Sequence, residues 1–186
     1  MFKLTSDRID YSSILSAPFG YRLDFCVGTT YSLELDALIG TSISLGLSED
    51  IDGYIKDNPI YMFEALSKTA DKTAVFCQGG QIKAPFKSNT LYILLEKMVA
   101  EINMKNNKSF HPKTWFIKYT NDKDSIYRFI VLSRNLTFDN SWDVAVCLEG
   151  RIQDKTIKEK NKPIRDFLLS LINLENGGLN ISKKEK

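Results

Sequence analysis

SFHPKTWFIKYTNDKDSIYRFIVLSRNLTFDNSWDVAVCLE, residues 109–149, holds both the clearest fold signal and the densest chemistry of the chain. Two β-rich runs, SFHPKTWFIKYT and SIYRFIVLSRNLT, flank the polar turn NDKD, and this order predicts an antiparallel hairpin. WDVAVCLEG, residues 142–150, alternates well enough to add a third strand. His111 is the only histidine, and Lys113 follows two residues later. In an extended strand residues i and i+2 share a face, so imidazole and ammonium are expected to point into the same space. Within the second run IYRFIVL leads to Ser133, Arg134 and Asn135, where a hydroxyl and an amide follow the strand. A nucleophile or base, a fixed positive charge and two neutral hydrogen-bonding groups are the equipment for handling a phosphate.

Upstream, Tyr21–Thr29 is rich in β-formers and ends in the short polar group Gly28, Thr29 and Thr30, as a buried strand leaving its sheet would. Ser32 then stands as N-cap of a helix over SLELDALIGTSISLGL. A strand-to-helix turn of this kind points N–H groups where an anion can sit, but GTTYS lacks the glycine spacing of a phosphate loop. Packing support is the expected role. Asn58 and Pro59 open a second helix, TAVFCQ reads as a short buried strand closed by Gly79 and Gly80, and LYILLEKMVAEIN as a long helix. Lys83 and Lys87 before it read as solvated loop charges. After a charged linker, NKPIRDFLLSLINLENGG predicts a last helix stopped by Asn176, Gly177 and Gly178. Strands alternating with helices at these lengths imply an α/β fold, a mixed β-sheet flanked by helices. One domain over residues 1–178 and a flexible C-terminal tail over 179–186 are expected.

At 186 residues the chain suits one core rather than two. With 43% hydrophobic and 26% charged residues it reads as globular, not disordered. No run approaches the roughly 18 apolar residues of a membrane span, and the N-terminus MFKLTSDRID has no apolar signal segment, so no membrane partner and a cytoplasmic location are expected. Cys26, Cys77 and Cys147 each lie in an apolar run, share no metal-ligand spacing and read as small hydrophobes. A net charge of +2 does not by itself mark a nucleic-acid binder.

His111, Lys113, Ser133 and Asn135 fit H-x-K followed after a hairpin by S-x-N-L-T, and this resembles the phospholipase D superfamily. SRNLTFDNSWD, with GYRLDFCVGTTYSL upstream, is similar to the phospholipase D-like domains of bacterial nucleases and defence-associated proteins, over Gly20 to Gly150. The resemblance implies a metal-independent phosphodiesterase with no cofactor, a nuclease acting on DNA through a phosphohistidine. By motif, His111 is nucleophile or general acid, Lys113 holds the non-bridging oxygens, and Ser133 and Asn135 complete the phosphate cradle. Glu149 falls where several family members carry a group that orients a histidine. Two departures stand out. Lys118 occupies the position of the family's usual aspartate, and Leu132 that of a glycine. The family site also needs two His-x-Lys halves, whereas this chain has one histidine and no internal repeat. The resemblance therefore implies either a homodimer or another partner supplying the second half, or else a catalytically inactive module that binds nucleic acid or phosphate within a larger assembly. Arg134 reads as a surface ion pair and Trp142 as a core anchor, rather than as phosphate and base contacts.

Overall fold

The computed structural model describes residues 10–46, 59–85, 87, 90–139, 141–152 and 159–174; the expected helix stop at Asn176–Gly178 and the tail over 179–186 lie outside them. In chain order the elements are α1 (Tyr11–Leu15), β1 (Arg22–Thr30), β2 (Leu33–Glu34), α2 (Leu35–Gly46), α3 (Pro59–Ala70), β3 (Thr73–Gln78) and β4 (Ile82–Lys83). Then follow α4 (Tyr92–Glu96), β5 (Val99–Ile102), β6 (Thr114–Thr120), β7 (Ser125–Leu132), β8 (Ala145–Arg151) and α5 (Lys162–Leu174).

The hairpin forms as its sequence predicts. Asn121 Oδ1 accepts from the Lys123 and Asp124 amides at 2.8 Å each, and this Asx turn reverses the chain between β6 and β7. Along β6 burial alternates strictly, with Trp115, Ile117 and Tyr119 inside. The six-stranded sheet runs β5-β3-β1-β6-β7-β8. β1, β3 and β5 are parallel, and β6, β7 and β8 continue as an antiparallel meander. Leu15, Leu38, Leu66 and Leu95, from α1 to α4, pack with Cys26, Val75, Trp115 and Ile117 on one face of this mixed sheet. On the other face, Leu171 of α5 joins Phe76, Ala100, Ile102 and Phe110. Cys26 and Cys77 are buried as small hydrophobes, while Cys147 is half-buried; all three are free thiols.

Three local expectations change. The long helix over 91–103 is only α4, and Val99–Ile102 leaves it to pair with β3 as a parallel strand. In V-A-E-I the small or branched Ala100 and Ile102 are buried while Glu101 faces out, so period-two burial outweighs a weak helical pattern. Ser32 does not cap the next helix; α2 starts at Leu35 because Leu33 and Glu34 pair with Ile82 and Lys83. The Gly28–Thr30 group does not leave the sheet, because it is the buried end of β1.

Tyr119 ties the N-terminal helix to the sheet. Its hydroxyl donates to the Leu15 carbonyl at 2.6 Å inside the core, where burial holds the phenol above its ordinary pKa of 10 and keeps it a donor. Arg128 Nη1 donates to the neighbouring Ile14 and Ser16 carbonyls at 3.0 and 2.8 Å. Tyr119→Phe strands a buried acceptor and is expected to cost about 1–3 kcal/mol. Urea unfolding should show this as a lower midpoint at unchanged slope.

Candidate phosphate-handling site

The parallel strands β1, β3 and β5 end, and the antiparallel β6 and β8 begin, at one edge of the sheet. The turns there collect most of the chemistry singled out in the sequence. Ligands of open α/β sheets favour this edge, beyond the carboxyl ends of the parallel strands.

His111 and Lys113 precede β6 rather than lying in it. Pro112 between them has no N–H to give a ladder. They nevertheless converge. Lys113 Nζ lies 3.0 Å from His111 Nδ1 and 3.3 Å from Nε2, and also donates to the His111 carbonyl at 3.4 Å. Burial lowers the Lys113 ammonium below its ordinary value of 10.5, as desolvation of a cation must. The imidazole rests against the Tyr31 ring, with centroids 5.0 Å apart. The preceding residue, Phe110, is fixed twice, by burial in the α5-side core and by its amide donating to Gln78 Oε1 at 2.6 Å.

Across the strand pair, the Leu132 amide donates to the Lys113 carbonyl at 2.9 Å, which sets Ser133 beside the histidine segment. The Ser133 hydroxyl donates to Asp143 Oδ1 at 3.0 Å and accepts from the Val144 amide at 2.9 Å. Asn135 comes to the same edge because the next residue, Leu136, donates its amide to Thr30 Oγ1 at the end of β1. Asn135 Oδ1 is sealed from solvent and has no hydrogen-bond partner among the described residues. An orphan acceptor of this kind costs about 1–3 kcal/mol and calls for a donor rather than an anion; the group of this side chain able to meet a phosphate oxygen is the Nδ2 amine, not the orphaned oxygen.

Glu149 is not brought to this group. It pairs in register with Arg128, well down β7 from Ser133, and its Oε2 accepts from Arg128 Nε at 2.8 Å. Its work there is to hold the guanidinium that straps α1. The carboxylate that does stand at the site is Asp143, a residue the sequence reading passed over. Besides Ser133 it takes Ser141 Oγ at 3.3 Å and Arg134 Nη1 at 3.5 Å. Its signal is the S-W-D triplet entering β8, ten residues beyond the serine that it holds. Arg134 is committed to protein, as expected, for Nη2 also donates to the Thr137 carbonyl at 2.8 Å. Trp142 is no core anchor: it is 82% exposed.

GTTYS serves as support. Thr29 Oγ1 accepts from the Thr114 amide at 2.9 Å and Thr30 Oγ1 donates to the Ser32 carbonyl at 2.8 Å. The Leu33 and Glu34 amides are bound to Gln81 and Leu136 carbonyls, so these groups are not free for an anion. Lys118 lies down β6 in an ion pair with Asp24 at 2.7 Å. Lys83 pairs with Glu34 at 3.4 Å.

Yeast tyrosyl-DNA phosphodiesterase has the same arrangement of sheet and helices. A variant of tyrosyl-DNA phosphodiesterase 1 superposes with a TM-score of 0.55 at 16% identity, over 89% of this chain and 34% of that one. A second structure of the yeast tyrosyl-DNA phosphodiesterase gives 0.50 at 18%, over 80% and 31%. The chain shares the α/β fold of the matched part of this enzyme, a mixed sheet flanked by helices. It spans about a third of the length of these neighbours. A polyphosphate kinase from Porphyromonas gingivalis matches at a TM-score of 0.39, too low to bear on function. No protein-family model matches the sequence, and no curated protein does. Among the described residues no helix is long and apolar enough to cross a membrane.

Proposed function

We propose that the chain is a metal-independent phosphodiesterase, a nuclease acting on DNA, whose active site is completed by a second copy. The observation that carries this reading is the contact of Lys113 Nζ with the His111 ring at 3.0 Å, at the sheet edge that also holds Ser133 and Asn135. In this reading one copy's His111 attacks phosphorus, and the other's protonates the leaving oxygen and then activates water. Lys113 and the Asn135 amide meet the charge on the non-bridging oxygens. Asp143 is a positioning residue, holding Ser133 and Arg134 in place.

Solution mass by light scattering, beside cleavage of DNA and of a chromogenic phosphodiester in EDTA, tests the reading. A dimer with EDTA-resistant cleavage is expected. A monomer without activity sinks it and leaves a second reading, a module that binds nucleic acid without cutting. The solitary histidine favours that alternative. Salt-sensitive DNA binding that is indifferent to His111→Ala but weakened by Lys113→Ala would mark it.

The two carboxylates give a further contrast. Asp143→Asn should lower kcat about tenfold or more by loosening Ser133, since small misplacements of site groups are expensive. Glu149→Gln should keep the rate and lose about 1–3 kcal/mol of stability, because it takes the charged partner from a largely buried Arg128 guanidinium. Comparing kcat with urea midpoints for both variants checks this.

A further inference from the structure

Helix α5 covers only the parallel half of its sheet face, where Leu171 meets Ala74, Phe76 and Ala100. Over β7 and β8 that face is bare of any described helix. Val146 and Leu148 of β8 lie on it opposite Val131 and Phe129 of β7. Val144 and Ile152 continue the same period of two at the ends of β8, and Trp142 stands one step earlier. Val131, Trp142, Val144, Val146, Leu148 and Ile152 are between 42% and 82% exposed. Isolated exposed apolar residues are ordinary, but a contiguous strip on an edge strand is a surface to be covered.

We infer that this strip is the surface on which the second copy docks, an inference that rests on the two-copy reading above. Three observations choose a second copy as occupant. The proposed chemistry needs two histidines, and the chain has one. The strip begins at the site, because Trp142 adjoins Asp143, whose carboxylate is bonded to Ser133. Symmetry then selects the face over the edge. Pairing β8 with its own two-fold copy along the edge would be antiparallel, and would send the two His111 residues to opposite ends of the joined sheet. Packing the bare faces about an axis running along the strands keeps both site edges at the same end, with sheets about 10 Å apart. The interface is isologous, apolar in the middle, and ends at the shared site.

Val146→Lys and Leu148→Lys, made singly in the full chain, test this. Both positions are exposed, and lysine is a natural guard of edge strands. The expected result is a mass falling from twice 21.2 kDa to 21.2 kDa, an unchanged far-ultraviolet spectrum, and loss of cleavage. Tryptophan emission supplies a measurement that needs no lysine variant. Of the two tryptophans Trp115 is 2% exposed, so a red shift on dilution of the wild type through its dissociation range must come from Trp142 and vanish in Trp142→Phe. If the wild type is a dimer, both lysine variants stay dimeric and active, and dilution brings no red shift, this docking surface is wrong while the two-copy reading survives. A wild-type monomer overturns the reading itself. Variants that stay dimeric but lose DNA binding would give the strip to nucleic acid and also overturn the inference.

Discussion

His111→Ala is expected to abolish phosphodiester cleavage, lowering kcat by a factor of at least about a thousand, because removing a nucleophile that also serves as proton donor disables both halves of a transfer. The variant should fold normally, since the imidazole is exposed, its contacts with Tyr31 and Lys113 are at the surface end of the sheet, and Phe110 rather than His111 anchors the segment. Mixing adds a sharper form of the same result. If each site needs His111 from both copies, a wild-type chain paired with a variant chain is inactive. Equal amounts allowed to re-associate then retain about a quarter of the all-wild-type activity, whereas independent chains would retain about half. Titrating variant into wild type and plotting rate against wild-type fraction separates a squared from a linear dependence. A linear plot would mean that each chain works alone.

Gly28→Ala should produce the largest loss of stability from a single methyl group. Gly28 lies in the middle of the sheet, between Val75 of β3 and Trp115 of β6. A Cβ there would meet Cε3 and Cη2 of the Trp115 indole at 2.7 Å, well inside contact distance. The ring has little freedom to retreat. Its Nε1 donates to the Tyr11 hydroxyl at 2.8 Å, which fixes it against α1. Overpacking of this kind costs about 1–3 kcal/mol and more where backbone must shift, and the alanine's smaller unfolded-state entropy returns only about 0.4–1 kcal/mol. We expect a net loss of about 2–3 kcal/mol, read from urea unfolding, with a changed near-ultraviolet signal from Trp115. An unchanged midpoint would show that β1 and β6 can separate at Gly28, against the close packing described here.

The same glycine illustrates what was legible in the sequence and what was not. TAVFCQ and WFIKYT betray themselves because burial in them follows from local patterns, continuous in one and alternating in the other. The NDKD turn is equally plain, since Asn121 closes it with its own side chain. Gly28 reads as a strand end, and only the large ring on the neighbouring strand, far along the chain, explains it as an interior residue. Residues 99–102 lose their helical reading for the same reason, a partner strand that the local pattern does not announce. His111, Lys113, Ser133 and Asn135 are singled out by their resemblance to a family motif, and the fold carries all four segments to the same end of the sheet. The carboxylate at the site, Asp143, is not. Glu149 and Asp143 both lie near β8, and which one faces Ser133 depends on strand register rather than on residue type.

The seam between β1 and β6 has a kinetic meaning. β6, β7 and β8 follow one another in the chain, the first pair through the turn at 121–124 and the second through residues 133–144, and β1, β3 and β5 form a separate parallel unit. Within the sheet the two join at β1 and β6, where Thr29 meets Thr114 across 85 residues of chain. Closing so long a loop is slow and comes late. The Tyr31 ring belongs to one side of that seam and His111 to the other. An intermediate in which each half has folded alone would therefore hold nearly all the secondary structure while its histidine still lacked the ring it leans on.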